Sequence, residues 1–223
     1  MKGNKTFAVL GLGRFGTAIA AELSEYGYEV IAIDSDLNSV EQISEVVTQA
    51  VRADFTEIDQ LRQIGVQECD AAVVATGSHL EESVLAVMNL KELGVPTVLA
   101  KAKNKKYADI LQKIGADRVV IPEKESGERV ARQLVSSNIV DLIDLDDEYS
   151  IVEMRCPLKW TKKTLRELNL RSQYGINVLG IRKRPNERLS ISPSADYVLE
   201  TSDQLMVIAD NKLIDKIEAL NKE

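Results

Sequence analysis

The 223 residues are 44% hydrophobic and 28% charged, which suits one large or two modest domains with a packed core and excludes a disordered chain. A formal charge of -7 and a pI near 5.0 argue against a general nucleic-acid binder, which needs a basic face for phosphates. Cys69 and Cys156 cannot build a disulfide framework, no apolar run approaches the roughly 20 residues that span a bilayer, and Met1 to Lys5 lead into a strand pattern without a signal peptide, so a cytoplasmic setting is expected.

From residue 6 to about 135, short apolar runs alternate with longer amphipathic segments. The runs are Thr6-Leu10, Glu29-Ile33, Thr48-Arg52, Ala71-Ala75, Thr97-Lys101 and Arg118-Ile121. Each reads as a strand followed by a helix, and strands that are nearly continuous hydrophobic runs belong to a parallel sheet covered on both faces. The expected fold class is therefore α/β, a Rossmann-type doubly wound parallel sheet, over residues 1–135. Residues 136–148 read as a crossover linker, because Ile139 to Ile143 lead into the acidic run from Asp144 to Glu148. Residues 149–223 read as a small α+β domain with little sheet of its own: strands at Tyr149-Arg155, Ile176-Ile181 and Gln204-Ala209, a short helix at Lys163-Leu168, and a final helix from Asn211. Between Arg155 and Arg188 ten Lys or Arg face two acids, so a basic stretch lies inside an acidic chain. It is either a solvated surface or a site for an anionic ligand.

The first strand runs directly into Gly11-Leu12-Gly13-Arg14-Phe15-Gly16 and then into the helical pattern from Thr17. In that context G-x-G-x-x-G is a dinucleotide-type fingerprint: Gly11 permits the turn, Gly13 lets the backbone approach a phosphate, and Gly16 lets helix pack on strand. Asp34, at the end of the second strand, suits ribose hydroxyls and would repel a 2′-phosphate; Ser35 and Asp36 follow with no arginine, so NADP is disfavoured and ATP, ADP and NAD(H) are favoured. A helix N-cap role for Asp34 or Asp36 is compatible with this assignment. Arg14 sits where a guanidinium reaches a terminal phosphate, or else makes a surface ion pair. Asp54-Phe55-Thr56, Thr76-Gly77-Ser78 and Lys101-Ala102-Lys103 follow the third, fourth and fifth strands, at the carboxyl ends where such ligands bind.

Catalytic chemistry is thinly supplied. His79 is the single histidine and falls at the start of a helix, neither cysteine has C-x-x-C or metal-ligand spacing, and no G-x-S-x-G, P-loop or H-E-x-x-H is present. The chain is therefore expected not to be an enzyme, with an NAD-dependent oxidoreductase as the alternative. A redox-sensing transcription factor would need a DNA-binding module, for which no length remains.

Ala8 to Gly16, Lys101-Ala102-Lys103, Ile114-Gly115-Ala116-Asp117-Arg118 with Pro122-Glu123-Lys124, and Tyr174-Gly175-Ile176-Asn177-Val178, in that order, resemble the Ktr/Trk potassium-transport regulatory subunits. These consist of an RCK N-terminal (KTN) domain and an RCK C-terminal domain, and the similarity covers nearly the whole chain. The resemblance implies a cytoplasmic gating subunit, peripheral to the inner face of the cell membrane. It would form dimers and an octameric ring under a membrane potassium-transporting partner and respond to ATP against ADP. It further implies that Arg14 meets the terminal phosphate, Asp34 the ribose, Asp54 and Phe55 the base region, and Thr76 to Ser78 with Lys101 to Lys103 the rest of the crevice. Glu123 would join a divalent or sodium ion near the phosphates. Tyr107 stands where relatives often carry histidine, and Thr17 where they carry a further glycine. For the second domain the resemblance implies a cyclic di-AMP pocket using Arg171 for phosphate, Asn177 with Val178 for polar contacts, and Leu165, Ile176 and Pro193 as apolar walls. Arg171 as a helix cap or ion-pair partner is the alternative.

Overall fold

The computed structural model describes residues 5–77, 79–135, 139–146, 148–184 and 187–213, and within the helix at 122–135 not the side chains of 132, 133 and 135. The chain divides into two compact units, Met1–Glu125 and Ser126–Glu223, where the sequence put the first boundary at 135.

In the first unit six strands alternate with helices: β1 (Thr6–Leu10), α1 (Arg14–Glu25), β2 (Glu29–Asp34), α2 (Leu37–Ile43), β3 (Gln49–Arg52), α3 (Ile58–Ile64), β4 (Ala71–Val74), α4 (Leu80–Glu92), β5 (Thr97–Lys101), α5 (Lys105–Ile114) and β6 (Arg118–Val120). The strand order is β3-β2-β1-β4-β5-β6, all parallel, so the order reverses between β1 and β4. That is the doubly wound sheet expected. Successive residues of β1 explain why its apolar run is unbroken: Ala8 and Leu10 enter a core closed by Leu61 of α3, Leu90 of α4 and Leu111 of α5. Val9 enters the opposite core, with Ala20 of α1 and Val40 and Ile43 of α2.

Asp117, inside one of the family-like motifs, splices β5 to β6. Its carboxylate accepts the Val98 N–H at 2.7 Å and the Lys91 ammonium at 2.9 Å, and its own N–H donates to the Val98 carbonyl at 2.9 Å. The Val98 N–H, with help from Lys91, holds the Asp117 carboxyl below the usual range.

Helix α6 (Pro122–Val135) follows β6. The second unit is built on a five-stranded antiparallel sheet of β7 (Ile139–Asp144), β8 (Tyr149–Arg155), β9 (Asn177–Arg182), β10 (Ser190–Ile191) and β11 (Gln204–Asp210), in the order β10-β9-β11-β8-β7. This corrects the expectation of little sheet. It also corrects the crossover at 136–148: Ile139 to Asp144 form a hairpin partner of β8, and Asp146 accepts the N–H groups of Glu148 and Tyr149 to close the turn. The apolar residues of β8 alternate in and out, and its inward set packs with Trp160, Leu199 and Leu205 beneath α7 (Leu165–Leu168) and α8 (Leu170–Tyr174). Asn211 to Leu213 continue as helix after β11; the remainder of the expected final helix lies outside the described residues.

Leu205 is fully buried in that core, so Leu205→Ala is expected to lower stability by about 2–5 kcal/mol in urea unfolding. Asp117→Asn is expected to cost about 1 kcal/mol at neutral pH, the low end for a charged hydrogen bond because the carboxylate is 44% exposed. A carboxyl with a depressed folded-state pKa stabilises fully above its unfolded value of about 4 and less as pH falls through the folded value. The two proteins should therefore converge in stability below pH 4, measured by urea titration across pH 2 to 7.

Candidate functional site

At the switch point the ends of β1 and β4 are in contact. Gly11 has φ +93°, and a Cβ there would come within 3.0 Å of the Thr76 nitrogen. Gly16 is more constrained: a Cβ would stand 1.9 Å from the Gly11 carbonyl oxygen and 2.9 Å from the Ala75 methyl. Gly13 is the opposite case, with nothing within 4 Å of the position a Cβ would take. It is also the N-cap residue of α1 and supplies no side-chain cap, so the first-turn N–H groups face that open surface. Crowding requires glycine at 11 and 16, whereas the surface at 13 is open, with room for a phosphate to approach the first-turn N–H groups.

Asp34 holds this turn in place. Its Oδ2 accepts the Leu12 N–H at 2.6 Å and its Oδ1 accepts the Asp36 N–H at 2.9 Å, while the Gly11 N–H donates to the Ile33 carbonyl at 2.8 Å. The sequence put Asp34 at the ribose; what the structure shows is its bond to the glycine turn, which the sequence did not disclose. Asp36 is the N-cap of α2, accepting from the N–H groups of Asn38 and Ser39 and from the Ser39 hydroxyl. The exposed Ser35 offers its carbonyl to Arg52 Nε at 3.1 Å. An arginine therefore does stand at this end of the crevice, delivered by β3; counting the β2–β3 register, in which Arg52 pairs with Asp34, would have found it.

The other strand ends complete the rim. Asp54 is exposed and ties its own loop, accepting from the N–H and hydroxyl of Thr56. Phe55 is 7% exposed and packs in the core, so its ring is not presented to the base region; Tyr107 is half-buried against the same core. The Thr76 hydroxyl lies 3.4 Å from Glu82, and Gly77 lies against the Lys101 stem; Ser78 is outside the described residues. His79 is exposed, precedes α4 and sits 3.3 Å from Glu82. Lys101 donates to Glu123 at 2.7 Å, with its ammonium 5.6 Å from the Phe15 ring centroid. Ala102 is buried and hydrogen-bonded to Val120, while Lys103 is exposed. The Lys101 hydrogen bond, with a smaller share from the charge of exposed Arg14, keeps the Glu123 carboxyl below its usual range. One carboxylate flanked by two cationic side chains is not by itself a cation site. Among the described residues no cluster of three or more His, Cys, Asp or Glu could hold a metal, so Glu123 fits a cation only where phosphate oxygens supply further ligands.

In the second unit the six residues expected to share a pocket do so. Leu165, Arg171, Ile176, Asn177, Val178 and Pro193 line one cavity of about 270 Å³, with Arg166, Asn169, Leu170 and Ala195 completing the wall. Arg166 is neutralised by Asp196 at 2.9 Å; Arg171 is exposed and pairs with no acid among the described residues. Asn169 is turned into the left-handed region, φ 39°, where it joins α7 to α8 along the cavity wall. Cys69 and Cys156 are buried and apolar burial raises both thiols to about 11, so neither is a ready nucleophile.

Residues 7–122 match the TrkA-N domain and residues 157–222 the TrkA-C domain. The chain is 38% identical over 215 residues to Ktr system potassium uptake protein A of Bacillus subtilis, covering 96% of each, and 38% identical over 214 residues to protein C of the same organism, again 96% of each. The fold is also that of the GsuK RCK domain, with a TM-score of 0.70 at 15% identity, covering 100% of this chain and 48% of that one. The GsuK channel bound to NAD superposes with a TM-score of 0.69 at 15% identity, this chain spanning 40% of its length.

Gly16→Ala is expected to destabilise the first unit by about 1–3 kcal/mol, because the clash is with backbone, whereas Gly13→Ala should leave the thermal midpoint nearly unchanged and obstruct anion binding at the turn. Parallel melting curves of the two variants check this.

Proposed function

This chain belongs to the family of proteins that join a TrkA-N to a TrkA-C domain, the family of the Ktr potassium uptake proteins, and from that membership we propose that it is the regulatory, gating subunit of a potassium uptake system. It works in the cytoplasm against a membrane transport subunit and assembles as dimers and an octameric ring. The observation that carries the proposal is identity spread across 96% of both chains with Ktr proteins A and C, so that both units and their order are shared. Among the described residues no helix is long and apolar enough to cross a membrane.

The ligand of the first unit is ATP or ADP, with NAD(H) as the second candidate that the Asp34 ribose position suits. The open face of Gly13 and the first turn of α1 receive the diphosphate, and Arg14, exposed one residue further on, reaches the terminal phosphate. A triphosphate and a diphosphate then differ at the Arg14 end, and a difference in affinity for two shapes of the assembly is what moves a gate. A divalent or sodium ion would neutralise phosphate charge beside Glu123. Regulation without chemistry of its own is the reading that likeness to the Ktr proteins supports.

The cavity of the second unit takes cyclic di-AMP. Arg171, which pairs with no acid among the described residues, supports the anionic half of that ligand, and Leu165, Ile176 and Pro193 its apolar contact. A two-fold dianion suits a cavity presented twice about a dimer axis.

Arg14→Ala is expected to weaken ATP about tenfold and ADP far less, collapsing the affinity ratio seen by calorimetry; an unchanged ratio removes Arg14 from the discrimination. Arg171→Ala is expected to weaken cyclic di-AMP by at least about tenfold with no effect on ATP, and absence of heat with cyclic di-AMP in the unsubstituted protein removes the second ligand.

A further inference from the structure

Phe55, expected at the base region, packs into the core, and Tyr107 is half-buried against it. The same end of the crevice holds an exposed planar side chain. Arg52, the last residue of β3, is the register partner of Asp34 in the parallel pair, so both side chains leave the same face of the sheet. Its Nε donates to the Ser35 carbonyl at 3.1 Å, which pins the guanidinium against the turn between β2 and α2. That bond lies in the plane of the group and leaves both flat faces uncommitted.

The neighbouring acids do not consume the guanidinium. Asp34 is taken up by the N–H groups of Leu12 and Asp36, and Asp36 by those of Asn38 and Ser39. The Asp36 carboxyl is held below its usual range first by the Ser39 hydroxyl, then by those backbone groups, with the charge of Arg52 adding to them. Arg52 makes no ion pair among the described residues.

We propose that Arg52 is a base-binding residue of the crevice, its guanidinium forming the surface on which a purine ring stacks, at the end opposite Arg14. The inference rests on the nucleotide assignment made above. A guanidinium face attracts an aromatic ring through charge and the ring quadrupole, and a tethered one loses little freedom in doing so. A 2′-phosphate is the other group an arginine here could meet, and the Asp34 carboxylate at the ribose opposes it.

The test is calorimetry on the full chain with ATP, AMP, CTP and NADPH, for the unsubstituted protein, Arg52→Ala and Arg52→Lys, with melting curves to verify folding. Arg52→Ala should weaken ATP and AMP by the same factor, about three- to tenfold, and narrow the preference for ATP over CTP. Arg52→Lys, which keeps the charge and loses the plane, should restore only part of it. Unchanged ATP affinity in Arg52→Ala, full rescue by Arg52→Lys, or a loss confined to NADPH would each overturn the stacking role. Should Arg52→Ala fold poorly, the Arg52→Lys comparison alone decides between plane and charge. Failure of the unsubstituted protein to bind ATP overturns the nucleotide assignment together with this inference; normal binding that Arg52→Ala leaves intact overturns this inference alone.

Discussion

The Leu12 N–H donated to the Asp34 carboxylate, together with the absence of a Cβ at Gly16, fixes where the glycine turn lies, and the geometry of the crevice follows from that placement. Gly16 brings the start of α1 onto the Gly11 carbonyl, and Asp34 draws the intervening loop toward the end of β2. Between those two restraints Gly13 is left facing open space at the N-terminus of α1. The strand order makes this the one point where neighbouring connections depart to opposite faces of the sheet, so the turn after β1 and the segment after β4 bound a cleft. The first-turn N–H groups of α1 have no side-chain cap at that cleft.

Charge is graded along that cleft. Arg14 and the Lys101–Glu123 pair stand at the end the proposal gives to phosphate; Asp34, Asp36, Asp54 and Arg52 stand at the end it gives to the nucleoside. Most of these acids already accept backbone N–H groups, which lowers their repulsion of an anionic ligand while keeping acceptors for hydroxyls. In the cavity of the second unit Asp196 neutralises Arg166, and Arg171 pairs with no acid among the described residues.

The first unit was legible because parallel strands buried on both faces are written as continuous apolar runs: Thr6-Leu10 and Thr97-Lys101 coincide with β1 and β5, and the other four strands differ by a residue or so at their ends. The second unit was less legible for the converse reason. β7 carries Asp141 and Asp144 on a half-exposed strand beside an acidic turn, which reads as a linker, and β10 is two residues long and defined by its partner β9. Pocket membership at Leu165, Arg171, Ile176, Asn177, Val178 and Pro193 came from family likeness, not from periodicity. The burial of Phe55 and the reach of Arg52 depend on how neighbouring strands are registered, which a single run of sequence does not carry.

In the proposed function, nucleotide in the crevice sets the activity of a potassium transporter. Potassium flux through the membrane subunit reconstituted in liposomes with this chain, measured in ATP and then in ADP, tests it most directly. The account predicts that flux differs between the two nucleotides only when this chain is present, and that Arg14→Ala erases the difference. Equal flux in ATP and ADP with the unsubstituted chain bound to its partner would contradict it.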